Sequence, residues 1–301
     1  IHPTRSRILL ENIERCGSAN TIVLNNDPKD ISKAFPEFFD MVLCDAPCSG
    51  EGMFRKEDQA VEQWSLENVQ ACALRQSYIL EEAYKCLKPG GTMVYSTCTF
   101  AIEENELCMQ KFIQEHPDMH LVPIEVDFGR KAFDLGCHTD YARRIFPMDG
   151  GEGHFIAKLQ KDVTSTESTV KLMQSQALPK EAKEFFDEFF VNQYPYYFVK
   201  NNKIYGGTQP FYEVGKCHLL RHQVFLGEME KNRFTPSHAL FMSAYTKFQN
   251  TLNLQEEDVI RYMRGEQLNL PCKKGWYAVC YHGVVIGTAL KNKYPKNLRL
   301  R

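Results

Sequence analysis

The sequence predicts an α/β fold: a doubly wound, Rossmann-like parallel sheet in the first half, followed by a smaller α+β region. Three observations predict it. Helix-like and strand-like segments alternate up to Val126, as repeated βα units do. Two short apolar runs, Met41-Val42-Leu43-Cys44 and Thr92-Met93-Val94-Tyr95, each open straight into a polar loop, as buried parallel strands do. Past a polar stretch at Lys161 to Lys171 the composition turns aromatic and hairpin-like.

Each element follows from local signals. Thr4 to Cys16 carries Ile8, Leu9 and Ile13 at helical spacing and stops at Gly17, where a helix-ending glycine belongs. Thr21 to Leu24 reads as a strand, and Pro28 to Ala34 as a short helix with Asp27 at its N-cap. Asp40 to Cys44 is the next strand, ending at an acid and a proline. Ser65 to Leu87 is a long helix, opened by Ser65 three residues before Asn68 and closed by a turn at Lys88-Pro89-Gly90-Gly91. The Met93 strand, a helix from Glu103 to Glu115 and a strand around His120 to Val126 complete the pattern. In such sheets ligands bind where loops leave the carboxyl ends of strands, which places Asp27, Asp45, Cys48 and Cys98 along one edge.

The stretch with Thr164, Ser165, Thr166, Ser168 and Thr169 reads as a linker, giving a first domain over 1–160, a linker over 161–180 and an extension over 181–301. Within the extension, an aromatic-rich stretch from Phe185 to Tyr205 leads to a turn at Gly206-Gly207. Short helices are expected at Ala239 to Phe248 and Glu257 to Met263. Tyr277, Val279 and Tyr281 then alternate ahead of a His282-Gly283 turn and a returning strand, a hairpin signature. Trp276 reads as core.

A net charge of −2 over 301 residues says nothing for a nucleic-acid partner, so distribution has to decide. The tail from Leu290 to Arg301 holds Lys291, Lys293, Lys296, Arg299 and Arg301 with no acid, a locally basic segment. Eleven cysteines, without Cys-x-x-Cys pairs and without a secretory or membrane-spanning apolar stretch, read as reduced thiols of a cytoplasmic protein with no membrane partner. Cys44 and Cys48 have no histidine close by, so no metal site is expected.

The chemistry lies in Cys48, within Asp45-Ala46-Pro47-Cys48-Ser49-Gly50, and Cys98, within Tyr95-Ser96-Thr97-Cys98-Thr99. Each follows a strand, and the pairing suggests covalent catalysis on a pyrimidine. Carbon 5 of cytosine is a poor nucleophile; a thiolate added to carbon 6 makes it enamine-like and able to take a methyl group from a sulfonium donor. The thiol must then leave, which needs a base to remove the carbon-5 proton. Cysteine, with an ordinary pKa of about 8.5 and strong nucleophilicity, suits the first role. The bland alternative is that free cysteines are small buried hydrophobes, and Cys16, Cys72, Cys86 and Cys108 on the expected helices are read that way.

Asp45-Ala46-Pro47-Cys48-Ser49-Gly50-Glu51-Gly52-Met53-Phe54-Arg55-Lys56 and Tyr95-Ser96-Thr97-Cys98-Thr99 closely resemble the two signature motifs of the Nol/Nop/Sun family of RNA cytosine-5 methyltransferases. The resemblance extends through Asn12-Ile13-Glu14-Arg15, Arg144-Ile145-Phe146-Pro147, Gly151-Glu152-Gly153-His154-Phe155 and Tyr294-Pro295-Lys296, and is strongest to the bacterial branch acting on small-subunit ribosomal RNA. It implies that Cys98 is the nucleophile, that Cys48 helps release the product, that Asp45 sits between cofactor and base, and that Asp27 lies near the adenosine of S-adenosylmethionine. It also implies an RNA-binding extension ending in a PUA-like module over about 255–301, and a monomer whose partner is small-subunit ribosomal RNA.

One family feature has no match. A Pro-Gly-Gly-Lys loop after a strand should precede these motifs; Lys88-Pro89-Gly90-Gly91 follows a helix instead, the wrong order. The resemblance therefore implies a partial methyltransferase domain whose first strands are absent, with an unpaired sheet edge and impaired methyl transfer. Two further readings stay open: a non-catalytic RNA-binding fragment, and an amino-group methyltransferase that would use the Asp45 loop without Cys98.

Overall fold

The computed structural model describes residues 2–164, 168–268, 270 and 272–291. Helix α1 (Pro3–Arg15) is closed by Gly17, whose φ of 68° only a glycine adopts freely and whose N–H bonds the Glu14 carbonyl at 2.9 Å. α1 buries none of its residues, and Cys16 at its end is exposed, so the expectation of a buried Cys16 fails; Cys72, Cys86 and Cys108 are buried as expected. Strand β1 (Ile22–Leu24) is followed by α2 (Pro28–Ala34), β2 (Phe39–Asp45), α3 (Asp58–Gln63), α4 (Leu66–Cys86) and β3 (Leu87–Thr97). Ser65 caps α4, its hydroxyl accepting from the Asn68 amide at 3.1 Å. Next come α5 (Glu106–Glu115), β4 (Met119–Leu121), β5 (Arg130–Lys131), β6 (Arg143–Ile145) and β7 (His154–Lys161).

β2 to β7 form one mixed sheet, in the order β2-β3-β7-β6-β5 with β4 also paired to β7. Among the described residues only β2 and β3 run parallel in it, which corrects the expectation of a doubly wound parallel sheet; the α/β class itself holds. β7 was not foreseen. The short loop 146–153 joining it to β6 allows an antiparallel return but no parallel crossover. The strand expected at 120–126 is limited to β4. The expected turn at Lys88–Gly91 is a bulge inside β3: Phe39 pairs with Leu87, Met41 with Thr92, and Gly90 takes a φ of 75°. α4 and α5 cover one face, with Leu80, Leu87, Met93, Tyr95, Met109, Phe112, Phe155 and Leu159 at its centre. β2 is an end strand, and its Met41 and Leu43 are each 71% exposed.

The remaining elements are α6 (Lys180–Phe189), β8 (Tyr196–Lys200), β9 (Lys203–Gly207), β10 (Leu219–His222), β11 (Val224–Glu230), β12 (Arg233–Pro236), α7 (His238–Met242), β13 (Thr251–Asn253), α8 (Glu256–Met263), β14 (Gly275–Tyr281) and β15 (Val284–Lys291). β12-β11-β9-β8 make an antiparallel sheet. The tight turn falls at Asn201-Asn202, both left-handed, so Gly206-Gly207 lies in β9 and not in a turn. The expected helix at Ala239 to Phe248 is shortened to α7, capped by Ser237. The β14–β15 hairpin turns at His282-Gly283 as expected, with φ values of 48° and 78°. Phe185, Phe186, Phe190, Phe234, Phe241 and Trp276 pack in its aromatic core.

Internal contacts divide the chain into two units, Asn26–Val170 with Val214–Lys216, and Ile1–Asn25 with Lys171–Glu213 and Cys217–Arg301. β1 belongs to the second: it pairs antiparallel with β10, Ile22 opposite His222, and not with β2. A buried-exposed alternation makes a strand without naming its partner. From residue 292 on, the basic tail, Tyr294-Pro295-Lys296 included, lies outside the described residues. No helix among the described residues is long and apolar enough to cross a membrane, and no group of three or more metal-ligating side chains occurs among them.

Candidate functional site

Parallel pairing of β2 with β3 sets Asp45 opposite Ser96, so both strands end at the same sheet edge. The ladder continues one bond further, from the Ala46 amide to the Ser96 carbonyl at 3.0 Å, and then meets Pro47, which has no N–H to offer. The chain leaves the sheet at that point on both strands, and the two cysteines stand on the first turns beyond. Their sulfurs lie 3.0 Å apart, and the Cys98 amide donates to the Cys48 sulfur at 3.2 Å. Gly50 turns the first loop at φ 80°. Gly52 then runs against the second, its N–H bonding the Cys98 carbonyl at 2.8 Å; a Cβ there would sit 2.9 Å from that oxygen.

Buried polar side chains fix both loops. Glu104, fully buried, accepts from the Ser49 amide at 3.1 Å, from the Ser49 hydroxyl and from Gln76 Nε2 at 2.7 Å. Gln76 also holds the Pro47 carbonyl at 3.1 Å, and the Ser49 and Thr99 hydroxyls meet at 2.8 Å. Asn105 donates to the Thr99 carbonyl at 3.0 Å. Behind it, Glu106 pairs with Arg144 through two hydrogen bonds, one of 2.6 Å from Nε, while Arg144 Nη1 reaches the Phe100 carbonyl at 3.0 Å. Both residues of that pair are almost wholly buried, so each needs the other.

The two thiols are electrostatically unequal. The hydrogen bond with Cys48 lowers the Cys98 thiol to about 7, against burial and the charge of Asp45. The same bond, with burial, pushes the Cys48 thiol well up. Above the Cys98 midpoint the pair carries one proton between two touching sulfurs, either of which can donate it to the other. Asp45 is exposed and accepts from the Ser96 hydroxyl at 3.2 Å.

Of the four residues singled out from sequence, Cys48 and Cys98 are in contact and Asp45 stands on the strand end leading to them. Asp27 is held elsewhere. It caps α2, accepting from the Lys29 amide at 3.0 Å, and takes a hydrogen bond from the Tyr78 hydroxyl, which lowers its carboxyl below the usual range and raises Tyr78 to about 12. It therefore does not emerge from a strand of the β2–β3 sheet, because the strand before it, β1, is paired outside that sheet. Glu51, Gln76 and Glu104 were not assigned roles from sequence. For Glu104 the available signal was the run Glu103-Glu104-Asn105-Glu106 at the start of an expected helix, where acids usually stay in solvent.

Fold and site together define an α/β protein of the two-cysteine kind, with an Asp-Ala-Pro-Cys loop and a Thr-Cys loop at adjacent ends of parallel strands. The chain belongs to the 16S rRNA methyltransferase RsmB/F family, whose sequence model matches residues 1–160. The RsmF rRNA methyltransferase first C-terminal domain matches residues 184–243, and the methyltransferase RsmF PUA domain matches 249–300, where the PUA-like module was expected. Ribosomal RNA small subunit methyltransferase F of Aeromonas salmonicida is 29% identical over 316 aligned positions, covering 98% of this chain and 66% of that protein. The protein of the same description from Vibrio cholerae is 41% identical over 162, covering 52% of this chain and 33% of its own length. The chain thus spans at most about two thirds of these two curated relatives. A solved methyltransferase homolog protein from Pyrococcus horikoshii is 32% identical, covers 53% of this chain and 51% of that chain, and superposes with a TM-score of 0.46.

Proposed function

We propose that this chain carries the catalytic cysteines and RNA-binding extension of an S-adenosylmethionine-dependent methyltransferase acting on carbon 5 of a cytosine in small-subunit ribosomal RNA. The observation that carries the reading is the thiol pair, the Cys48 and Cys98 sulfurs 3.0 Å apart on adjacent strand ends.

Cys98, as thiolate, adds to carbon 6 of the base and leaves carbon 5 nucleophilic. Bound S-adenosylmethionine supplies an electrophilic methyl group. The Asp27 Oδ1 atom takes both the Lys29 and Tyr78 hydrogen bonds, which leaves Oδ2 to accept from a ribose or adenine donor; that donor chemistry fits a nucleoside. Asp27 and Asp45 would hold the cofactor, Asp45 also accepting from the base edge. Once carbon 5 is methylated, a base takes its proton, the carbon 6–sulfur bond breaks and its electron pair returns to Cys98; Cys48, with its sulfur beside Cys98, would assist that release as the thiolate that takes the proton or as the thiol that protonates the leaving sulfur. Residues 1–160 are assigned to methyl transfer and 181–301 to RNA, with the PUA-like module over about 255–301. The protein acts as a cytoplasmic monomer on its ribosomal RNA partner.

The test is to incubate the chain with S-adenosylmethionine and RNA containing 5-fluorocytosine, whose carbon-5 substituent cannot be eliminated, and to locate any protein–RNA bond by mass spectrometry. A bond to Cys98 is expected. A bond to Cys48 would reverse the two roles, and intact RNA binding without an adduct would favour a non-catalytic RNA-binding protein.

A further inference from the structure

Strand pairing holds the two loops only as far as the bond from Ala46 to Ser96. Beyond it, a sulfur–sulfur contact of 3.0 Å depends on whatever ties loop to loop. Two side-chain ties cross between them close to Cys98: the Ser49 and Thr99 hydroxyls, 2.8 Å apart, and the carboxylate of Glu51. Glu51, in the turn after Cys48, accepts through Oε2 from the Thr99 hydroxyl at 3.0 Å and from the Phe100 amide at 2.7 Å. Its other oxygen, Oε1, takes the indole N–H of Trp64 at 3.0 Å, so the carboxylate is steered from both ends. The neighbouring Gly52 amide adds the bond to the Cys98 carbonyl. Bonds to an ionised acceptor are shorter and about twice as strong as neutral ones. Glu104 fastens Ser49 of the first loop to the chain entering α5; Glu51, the charged tie, fastens the second loop to the first beside the neutral Ser49–Thr99 contact.

We infer that Glu51 is a positioning residue of the two-thiol site: its carboxylate clamps the Cys98 segment to the Cys48 loop so that the Cys48 thiol meets the Cys98 sulfur. The catalytic consequence rests on the proposed role of Cys98, but the clamp is a statement about two thiols that can be tested without RNA or cofactor.

The experiment is the pH profile of Cys98 alkylation by iodoacetamide on the whole chain, resolved by peptide mass spectrometry. The unaltered protein should show a midpoint at about 7. Glu51→Gln keeps one acceptor oxygen and loses the charge, and should raise the midpoint by about one unit toward that of an ordinary thiol, slowing alkylation at pH 7 roughly fivefold. In a Cys48→Ala background, where no thiol remains to donate, Glu51→Gln should add little, because the two changes act on one interaction. Trp64→Phe, which removes only the indole donor at a residue 36% exposed, should shift the midpoint the same way by less, and it carries the same cycle if Glu51→Gln does not fold. The inference is overturned if a folded Glu51→Gln protein keeps the original midpoint, if the shift is as large without Cys48, or if the unaltered protein titrates as an ordinary thiol. Failure of the 5-fluorocytosine adduct alongside a shifted midpoint would remove the methyltransferase reading and leave the clamp standing.

Discussion

The cysteine edge of the β2–β3 sheet and the aromatic core of the β8–β12 unit are both densely buried, yet they are built from opposite materials. At the cysteine edge three consecutive polar residues, Glu104, Asn105 and Glu106, are fully buried and each is hydrogen-bonded. In the other core Phe185, Phe186, Phe190, Phe234, Phe241 and Trp276 pack ring on ring, with Phe241 and Trp276 stacked at 5.8 Å. Aromatic packing is strong and tolerant of direction; a hydrogen bond is weak in net terms and strict in direction. A scaffold needs the first, and two thiols in contact need the second.

The comparison is broken most sharply by the cysteines themselves. Cys98→Ala is expected to abolish the 5-fluorocytosine adduct and reduce methyl transfer by at least about 10³-fold, as loss of a nucleophile does. Cys280→Ala, in the aromatic core, should leave transfer intact and cost on the order of 1 kcal/mol in denaturant unfolding. Retention of the adduct in Cys98→Ala would end the assignment.

Arg144→Met and Phe186→Ala come next. The first leaves Glu106 buried without its partner, and the second opens a cavity; each is expected to cost about 3–5 kcal/mol. They should differ in reach. Arg144 also holds the Phe100 carbonyl, so its loss should move the Cys98 alkylation profile, while Phe186→Ala should not.

Acid sharpens the contrast further. His222, 2% exposed, accepts from the Tyr212 amide at 3.3 Å, and burial lowers it from 6.5 to about 4. The unfolded chain binds that proton first. The stabilisation is therefore complete above pH 6.5 and lost as pH falls toward 4, by about 3 kcal/mol at most. His222→Gln should flatten the pH dependence of unfolding in that window. The smallest effect is expected at the exposed Lys203–Glu228 pair, where Lys203→Ala should change stability by about 0–1 kcal/mol.

Much of the site was legible along the chain. Apolar runs ending in Asp45-Ala46-Pro47-Cys48 and in Thr97-Cys98 announced two strand ends, and the parallel register placed them side by side. The caps Ser65 and Asp27 and the glycine at 17 were equally local, because a cap is satisfied within one turn. Glu51, Gln76 and Glu104 were not legible, since a polar side chain in a turn or on a helix reads as solvated until segments distant in sequence are packed over it. β1 misled for a related reason: its alternation is the same whether its partner is β2 or β10.

By itself the sequence determined where chemistry could reside and which elements would form, because propensities, caps and motifs act over a few residues. Only the tertiary structure decided that the sulfurs of Cys48 and Cys98 touch, that this contact lowers the Cys98 thiol, and that Asp27 is bound to Tyr78 on another helix. Those outcomes depend on distance, burial and partner, which are fixed when segments some fifty residues apart are packed together.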